Sequence, residues 1–333
     1  MASSTPKTFP DQKIEAIDAL FEHAGLTHSL RGNAAGVTRR MRFERAAPQE
    51  LAVSAPEPSV AQNGVEWLAV PAWQRTGWLW HGFSTRRGGL SRVYCPDGAP
   101  GELNLGFTAA DDRETVAANR RLLAEAITGD AATPLVSLRQ IHSNLVILAG
   151  AQDVVRPQPL KGDGLMTDQP GLLLAIQTAD CIPVLVADRK RRAVAAFHAG
   201  WRGTVKRIVE SGIGPCCYAV GDEVLSEFES QFTYGRELFC EVYDSDPIRT
   251  RYPMLFLTQR APGHSEIGPS LHVNLVEANR RQLIAAGLKP GAIQTVGGCT
   301  NCQPEMFFSH RGSQGHAGRM MSVIGIRPDT ARQ

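Results

Sequence analysis

Apolar and polar positions change texture partway along the chain. From Trp67 onward short apolar runs recur at 144–149 (NLVILA), 171–177 (GLLLAIQ), 183–187 (PVLVA) and 192–197 (RAVAAF), bounded by Gly, Asp or Pro. Runs of that length, punctuated by turn formers, predict β-strands. Helical spacing lies between them. Asp111-Asp112 offers an N-cap carboxylate to a helix whose inward face is Val116, Leu122, Leu123 and Ile127. A second helix is predicted near Val273–Ala286, stopped by Gly287, because glycine accepts the left-handed conformation that ends helices. The strands around 171–198 are closely spaced, which implies antiparallel or mixed pairing and an α+β (mixed α/β) fold.

The N-terminal part reads differently. Residues 11–24 predict an amphipathic helix with Ile14, Ile17, Leu20 and Phe21 on one face, and no clear periodicity follows through Ser59. We therefore expect residues 1–60 to be a peripheral extension and 61–333 to form a single catalytic domain.

Composition narrows the classes of partner. Hydrophobic residues make up 43% and charged residues 20% of 333 residues, which is globular. The formal net charge is +2, from 35 basic and 33 acidic residues, so no electrostatic footprint for nucleic acid or an anionic membrane exists. No run approaches the roughly 18 apolar residues that span a bilayer. Met1–Pro10 is polar and lacks the apolar core of a secretory signal. The seven cysteines are an odd number, several within apolar stretches, and suit reduced thiols. The expectation is a cytoplasmic protein, monomer or homodimer, with small-molecule partners.

Three strand-edge motifs carry candidate chemistry. In Gln177-Thr-Ala-Asp-Cys-Ile-Pro183 a thiol follows a carboxylate at the end of an apolar strand. His198-Ala-Gly-Trp-Arg-Gly203 closes another strand, with glycines that permit close backbone approach. Arg139-Gln-Ile-His142 precedes a third. Two imidazoles and one thiolate suit a tetrahedral zinc with its fourth position left for water. The separations of 39 and 17 residues match no local zinc signature, so a buried thiol and satisfied core histidines remain open readings from spacing alone.

RQIHS at 139–143, DGLMT at 163–167, TADCIP at 178–183, HAGWRG at 198–203 and IGPCCY at 213–218 occur in that order. HGFSTRRGG at 81–89, NLG at 104–106 and a FFSHRG…GRM tail ending at Met320 accompany them. Over roughly residues 78–326 the chain resembles the laccase-domain, YfiH-like family. That resemblance implies purine nucleoside phosphorylase activity on adenosine, inosine, guanosine and methylthioadenosine, with adenosine deamination and phosphate as co-substrate. It implies zinc bound by His142, Cys181 and His198, with copper able to take the same ligands. It also implies stacked sheets flanked by helices, a four-layer α-β-β-α sandwich similar to a group of cysteine hydrolases.

A zinc so held lowers the pKa of a water toward neutrality, which suits attack at C6 of adenosine. Zinc deaminases of another family pair such a set with a carboxylate that moves protons, and Asp180 is the candidate here. Arg86, Arg202, Arg311 and Arg319 are the motif arginines suited to phosphate. We expect Arg86 and Arg202 to face the pocket.

Two departures from the family and one competing metal motif stand out. Ser309-His310-Arg311-Gly312 replaces the family's Ser-Tyr-Arg-Arg, so one arginine is absent. Cys216-Cys217 with Cys299-Thr-Asn-Cys302 suggests a second metal, disfavoured because adjacent cysteines strain to share one ion. Between HAGWRG and IGPCCY only Thr204–Ser211 and Gly212 intervene, where relatives carry a long helix, a linker and a strand. We expect an omitted stretch there rather than a true deletion, because a deletion would bare a sheet edge.

Rival readings are a copper polyphenol oxidase, a thiol hydrolase for peptidoglycan-precursor editing, and a metal-binding interaction module. The hydrolase would use Cys181 as nucleophile and His198 or His142 as base. The oxidase reading lacks the His-x-His pairs of a trinuclear copper cluster.

Overall fold

A computed structural model describes residues 42–43, 57–154, 159–206, 217–242 and 270–329. The predicted helix at 11–24 lies outside them. So does most of the connection in which an omitted stretch is expected, since 207–216 are not described. The chain divides into two units, Met1–Pro48 with Cys240–Leu271, and Gln49–Phe239 with His272–Gln333. In the first, β1 (Arg42–Phe43) runs parallel to Glu241 and Val242.

The second unit opens with short strands β2 (Ser59–Val60) and β3 (Glu66–Leu68), then β4 (Leu79–Ser84) and β5 (Arg87–Ser91). Helix α1 (Arg113–Thr128) starts where Asp112 accepts a hydrogen bond from the Thr115 N–H at 2.8 Å and stops at Gly129, whose φ is 87°. Then come β6 (Leu135–Ser137), β7 (Val146–Leu148), β8 (Gly164–Thr167), β9 (Leu173–Thr178), β10 (Ile182–Asp188) and β11 (Ala193–Ala199). Helix α2 (Trp201–Val205), β12 (Ala219–Val220) and α3 (Asp222–Gln231) follow. Strand β13 (Phe239–Val242) falls mostly in the first unit and β14 (Ser270–Val273) half in each; α4 (Leu275–Ala285) follows, and β15 (Met320–Ile326) closes the core.

Among the described residues two sheets form the body of this unit. One has the order β2-β3-β4-β15-β9-β6, the other β10-β11-β8-β7. Pairing is mixed, as the close strand spacing predicts: β10–β11 and β15–β9 are antiparallel, β6–β9 and β7–β8 parallel.

Strand alternation explains how the sheets stack. Along β9, Leu174 and Ile176 face Leu185, Val194 and Ala196 of the other sheet, while Leu173 and Ala175 face Leu123 and Ala124 of α1. All four β9 side chains are fully buried, since a strand covered on both faces reads as a continuous apolar run. Val116 and Leu123 of α1 are buried as predicted, and Leu122 and Ile127 pack at its margin. A third cluster gathers Ile182 at the start of β10 with Val205, Phe228 and Ala278 of α2, α3 and α4. It braces the end of the hairpin where Cys181 and His198 sit.

Candidate metal centre

Sheet register brings the motifs to one rim. In the β10–β11 hairpin Ile182 pairs with Ala199 and Pro183 with His198, so Cys181, one residue before β10, lies at the same end as His198. Gly164 at the start of β8 pairs with Phe197, and Val146 at the start of β7 pairs with Gly164. The segments entering β7 and β8 therefore arrive at that rim carrying His142 and Asp163. Residues far apart in sequence meet because four strand ends do.

The Nε2 atom of His142 lies 3.8 Å from Sγ of Cys181, and the His142 and His198 ring centres are 4.8 Å apart, nearly perpendicular at 78°. One ligand atom from each of His142, Cys181 and His198 falls within 4.8 Å of the others. Gly200 keeps the space between them open. A Cβ at that position would sit 3.0 Å from His142 Cδ2 and 3.1 Å from Cys181 Sγ. His198 is buried, Cys181 half-buried and His142 exposed, so the site opens on the His142 side.

Asp163, fully buried, organises this centre, and the motif DGLMT was the only signal for it. Its Oδ1 accepts a hydrogen bond from Nδ1 of His198 at 2.8 Å, which leaves Nε2 of that ring for a ligand. The same carboxylate accepts the backbone N–H groups of Ile141 (3.2 Å), His142 (3.0 Å) and Ser143 (2.6 Å), and the Ser143 hydroxyl (2.7 Å). This binding holds His142 at φ 55°, a left-handed conformation unusual for a residue with a Cβ. Gln140 anchors the turn from the other side. Its side-chain amide donates to the Gln177 carbonyl and accepts from the Gln177 N–H, at 2.7 and 2.8 Å.

Electrostatics couples the members. Burial opposes ionisation of the Cys181 thiol, but hydrogen bonds and positive charge from His142 and His198 outweigh it and bring the thiol down to about 6. Burial likewise opposes a charged His198, yet Asp163 and Cys181 raise it to about 9. Asp163 is opposed by burial too, and hydrogen bonds from His198 and Ser143 hold it well below the usual carboxylate range. These shifts run in the direction that favours a thiolate–imidazolium pair braced by a carboxylate. A thiolate and two imidazole nitrogens around an open glycine suit a borderline-soft divalent ion, and both zinc and copper accept this donor set.

Asp180 is also left-handed, at φ 88°, but its carboxylate turns to a different segment. It accepts hydrogen bonds from the Thr300 hydroxyl (2.7 Å), the Ser309 hydroxyl (2.7 Å) and the Arg311 N–H (2.7 Å). The four arginines part company. Arg86 pairs with Glu102 at 2.7 Å, donates to the Pro304 and Tyr94 carbonyls and stacks over Phe308. Arg319 donates to the carbonyls of Ala317 and Gly318. Arg202 is exposed beside the Trp201 ring, and Arg311 lies 4.9 Å over the Tyr218 ring and donates to the Ala219 carbonyl. Burial, opposed only in part by the charges of Arg311 and Arg202, and reinforced by those of Cys181 and Asp180, pushes the Tyr218 hydroxyl up to about 12. Of the two exposed arginines, Arg311 is the one stacked on Tyr218. Tyr218 sits in IGPCCY, where the cysteines draw the eye.

Comparison with known proteins gives the family. The family model described as multi-copper polyphenol oxidoreductase laccase matches residues 80–213 and 211–327. The two matches meet in the segment between HAGWRG and IGPCCY. Purine nucleoside phosphorylase YlmD of Geobacillus stearothermophilus is 32% identical over 280 residues, covering 74% of this chain and 90% of the relative. Adenosine deaminase RL5, from an unidentified prokaryote, is 30% identical, covering 73% of this chain and 92% of that protein. The crystal structure of the hypothetical protein YfiH of Bacillus licheniformis superposes with a TM-score of 0.63 at 29% identity, covering 78% of this chain and 96% of that one.

Proposed function

This chain belongs to the multi-copper polyphenol oxidoreductase laccase family, and on that footing we propose that it is a zinc-dependent purine nucleoside phosphorylase with adenosine deaminase activity. The substrates are adenosine, inosine, guanosine and methylthioadenosine, with phosphate, in the cytoplasm. The four-layer α-β-β-α arrangement belongs to the same proposal. The observation that carries it is the meeting of His142, Cys181 and His198 within 4.8 Å, over a buried aspartate that orients one of the imidazoles. The names of the relatives support the substrate class.

In phosphorolysis a phosphate oxygen bonds to C1′ of the ribose while the glycosidic bond breaks and the purine leaves with the electron pair, taking up a proton. In deamination a water adds at C6 and ammonia leaves. Zinc, when bound, would supply Lewis acidity at an oxygen in this pocket. The chain's own part is to hold and orient. His142, Cys181 and His198 are the residues that would hold the ion. Asp163 fixes the His198 ring through Nδ1 and fixes the His142 backbone. Arg202, over the Trp201 ring, and Arg311, over the Tyr218 ring, are the guanidiniums assigned in this reading to an anionic oxygen, and Arg86 and Arg319 brace the frame. Asp180 acts as a positioning residue that ties Thr300, Ser309 and Arg311 to the strand end next to Cys181.

Incubating the purified protein with adenosine, with and without phosphate, tests this directly. Phosphate-dependent adenine and ribose-1-phosphate support phosphorolysis, and inosine supports deamination. Absence of all three sinks the proposal. One observation favours a second reading. Cys181, brought down to about 6 beside His198, which is hydrogen-bonded to Asp163, has the makings of a thiol nucleophile with an oriented base. Tightly bound stoichiometric metal would occupy that thiolate and exclude the hydrolase reading.

A further inference from the structure

A second thiol cluster lies outside the centre just described. Cys217, Cys299 and Cys302 place their sulfurs within 4.8 Å of one another, with Cys217 and Cys302 3.3 Å apart. We propose that these three cysteines form a second, structural metal site that takes zinc, distinct from the His142–Cys181–His198 centre. Three thiolates around one zinc at about 2.3 Å stand roughly 3.8 Å from each other in tetrahedral geometry. The observed spacing brackets that value and is well beyond the roughly 2.05 Å of a disulfide.

Local structure supports the assignment. The Cys302 N–H donates to the Cys299 carbonyl at 3.2 Å, closing the Cys299-Thr-Asn-Cys302 turn that gathers its two thiols. Cys217 arrives from a segment 85 residues before Cys302, so an ion here would join two remote pieces of chain. The objection raised by the adjacent pair Cys216-Cys217 falls away, because the cluster needs only one of them. Cys302 is exposed and the other two are partly so, which leaves the sulfurs reachable by an ion.

The two segments joined this way are those that flank the first centre. Thr300, inside the turn, donates to Asp180, the neighbour of Cys181. Tyr218, next to Cys217, carries Arg311 over its ring. A zinc at this cluster would fix Tyr218 and Arg311 against the rim without touching substrate. The inference stands on the cysteines alone and does not depend on the reaction proposed above.

The test counts metal in the full chain, purified under reducing, oxygen-free conditions and reconstituted with zinc or cobalt(II). Wild type should hold two ions per chain. Cys302→Ser and Cys299→Ser should each lose one, Cys181→Ala should lose the other, and Cys302→His should restore the second ion. Cobalt-loaded Cys181→Ala should keep a thiolate-to-cobalt absorption band that Cys302→Ser weakens. Alkylation with iodoacetamide, mapped by mass spectrometry on wild type, needs no variant: zinc should protect Cys217, Cys299 and Cys302. One ion per chain unaffected by Cys302→Ser, equal alkylation with and without zinc, or a cross-linked Cys217–Cys302 peptide under these reducing conditions would each overturn the proposal.

Discussion

Replacing Asp163 tests whether one buried carboxylate builds the centre. In Asp163→Ala five donors lose their acceptor: the N–H groups of Ile141, His142 and Ser143, the Ser143 hydroxyl and Nδ1 of His198. Ile141 and His142 are exposed, so their N–H groups regain water. The His198 nitrogen and the Ser143 groups are less able to. A buried donor left without a partner costs about 1–3 kcal/mol, more when charged, so the variant should lose about 3–5 kcal/mol of metal-free stability. The His198 ring would also lose the partner that aims Nε2, and removal of such a partner weakens metal binding about 10–100-fold. Asp163→Asn keeps the shape and one acceptor oxygen but turns an NH2 toward donors, so it should fall between wild type and alanine on both scales. Urea unfolding of the metal-free protein measures the first effect, and zinc competition against a chromophoric chelator the second. Stability within about 1 kcal/mol of wild type, with unchanged zinc affinity, would refute the role given to Asp163.

Gly200→Ala is a steric test at a backbone that alanine adopts freely, φ −71° and ψ 171°. Its methyl would crowd His142 and Cys181, so zinc affinity should drop about tenfold or more while the unfolding midpoint stays near wild type; unchanged affinity would show the ligands have room to spare. Asp180→Asn should raise KM for phosphate through displaced Arg311 and leave the pH profile of kcat alone, whereas loss of one limb of that profile would make Asp180 a proton carrier. His81, buried in β4 with Nε2 accepting the Val70 N–H at 3.0 Å, is lowered by burial from its ordinary value. Its contribution to stability is therefore full above the unfolded-state value of about 6.5 and lost as pH falls below it, by at most about 1.4 kcal/mol per pH unit. Urea titrations between pH 7.5 and 5 should show a shallower decline for His81→Gln than for wild type, and parallel declines would exclude His81 as the source.

What could be read from sequence was whatever depends on local period. The runs at 171–177, 183–187 and 192–197 are β9, β10 and β11 within a residue or two, because strands in a sheet interior leave an apolar signature, unbroken in β9, which is buried on both faces. The Asp112 cap and the Gly287 stop were legible because capping chemistry is local, and Gly287 indeed has φ 100°. Asp163 was not legible, since its partners are chosen by the parallel pairing of β7 with β8, a long-range fact that no window contains. The left-handed His142 and Asp180 were hidden for the opposite reason. Local propensity argues against such conformations, and only the hydrogen bonds holding the surrounding segments enforce them. The thiol cluster was discounted on the strain of an adjacent pair, yet among the described residues Cys217 meets Cys299 and Cys302 without needing its neighbour.

The same features explain why mutating ligands cannot by itself decide between the two enzymatic readings. Cys181 is the sulfur ligand in one and the nucleophile in the other. His198 is a ligand in one and a base in the other, and Asp163 orients it in both. Loss of activity in Cys181→Ala is common to them. What differs is competition for one electron pair on one sulfur. A thiolate held near neutral pKa by two imidazoles binds either a proton, a metal or an electrophile, and His142 and His198 lie close enough to serve whichever arrives. Metal that resists dialysis and blocks alkylation of Cys181 removes the nucleophile from the reaction. A metal-free protein whose Cys181 is alkylated rapidly, with full turnover, removes the metal. The arrangement permits one of these states at a time, so occupancy of the sulfur, measured alongside turnover, separates mechanisms that share every side chain.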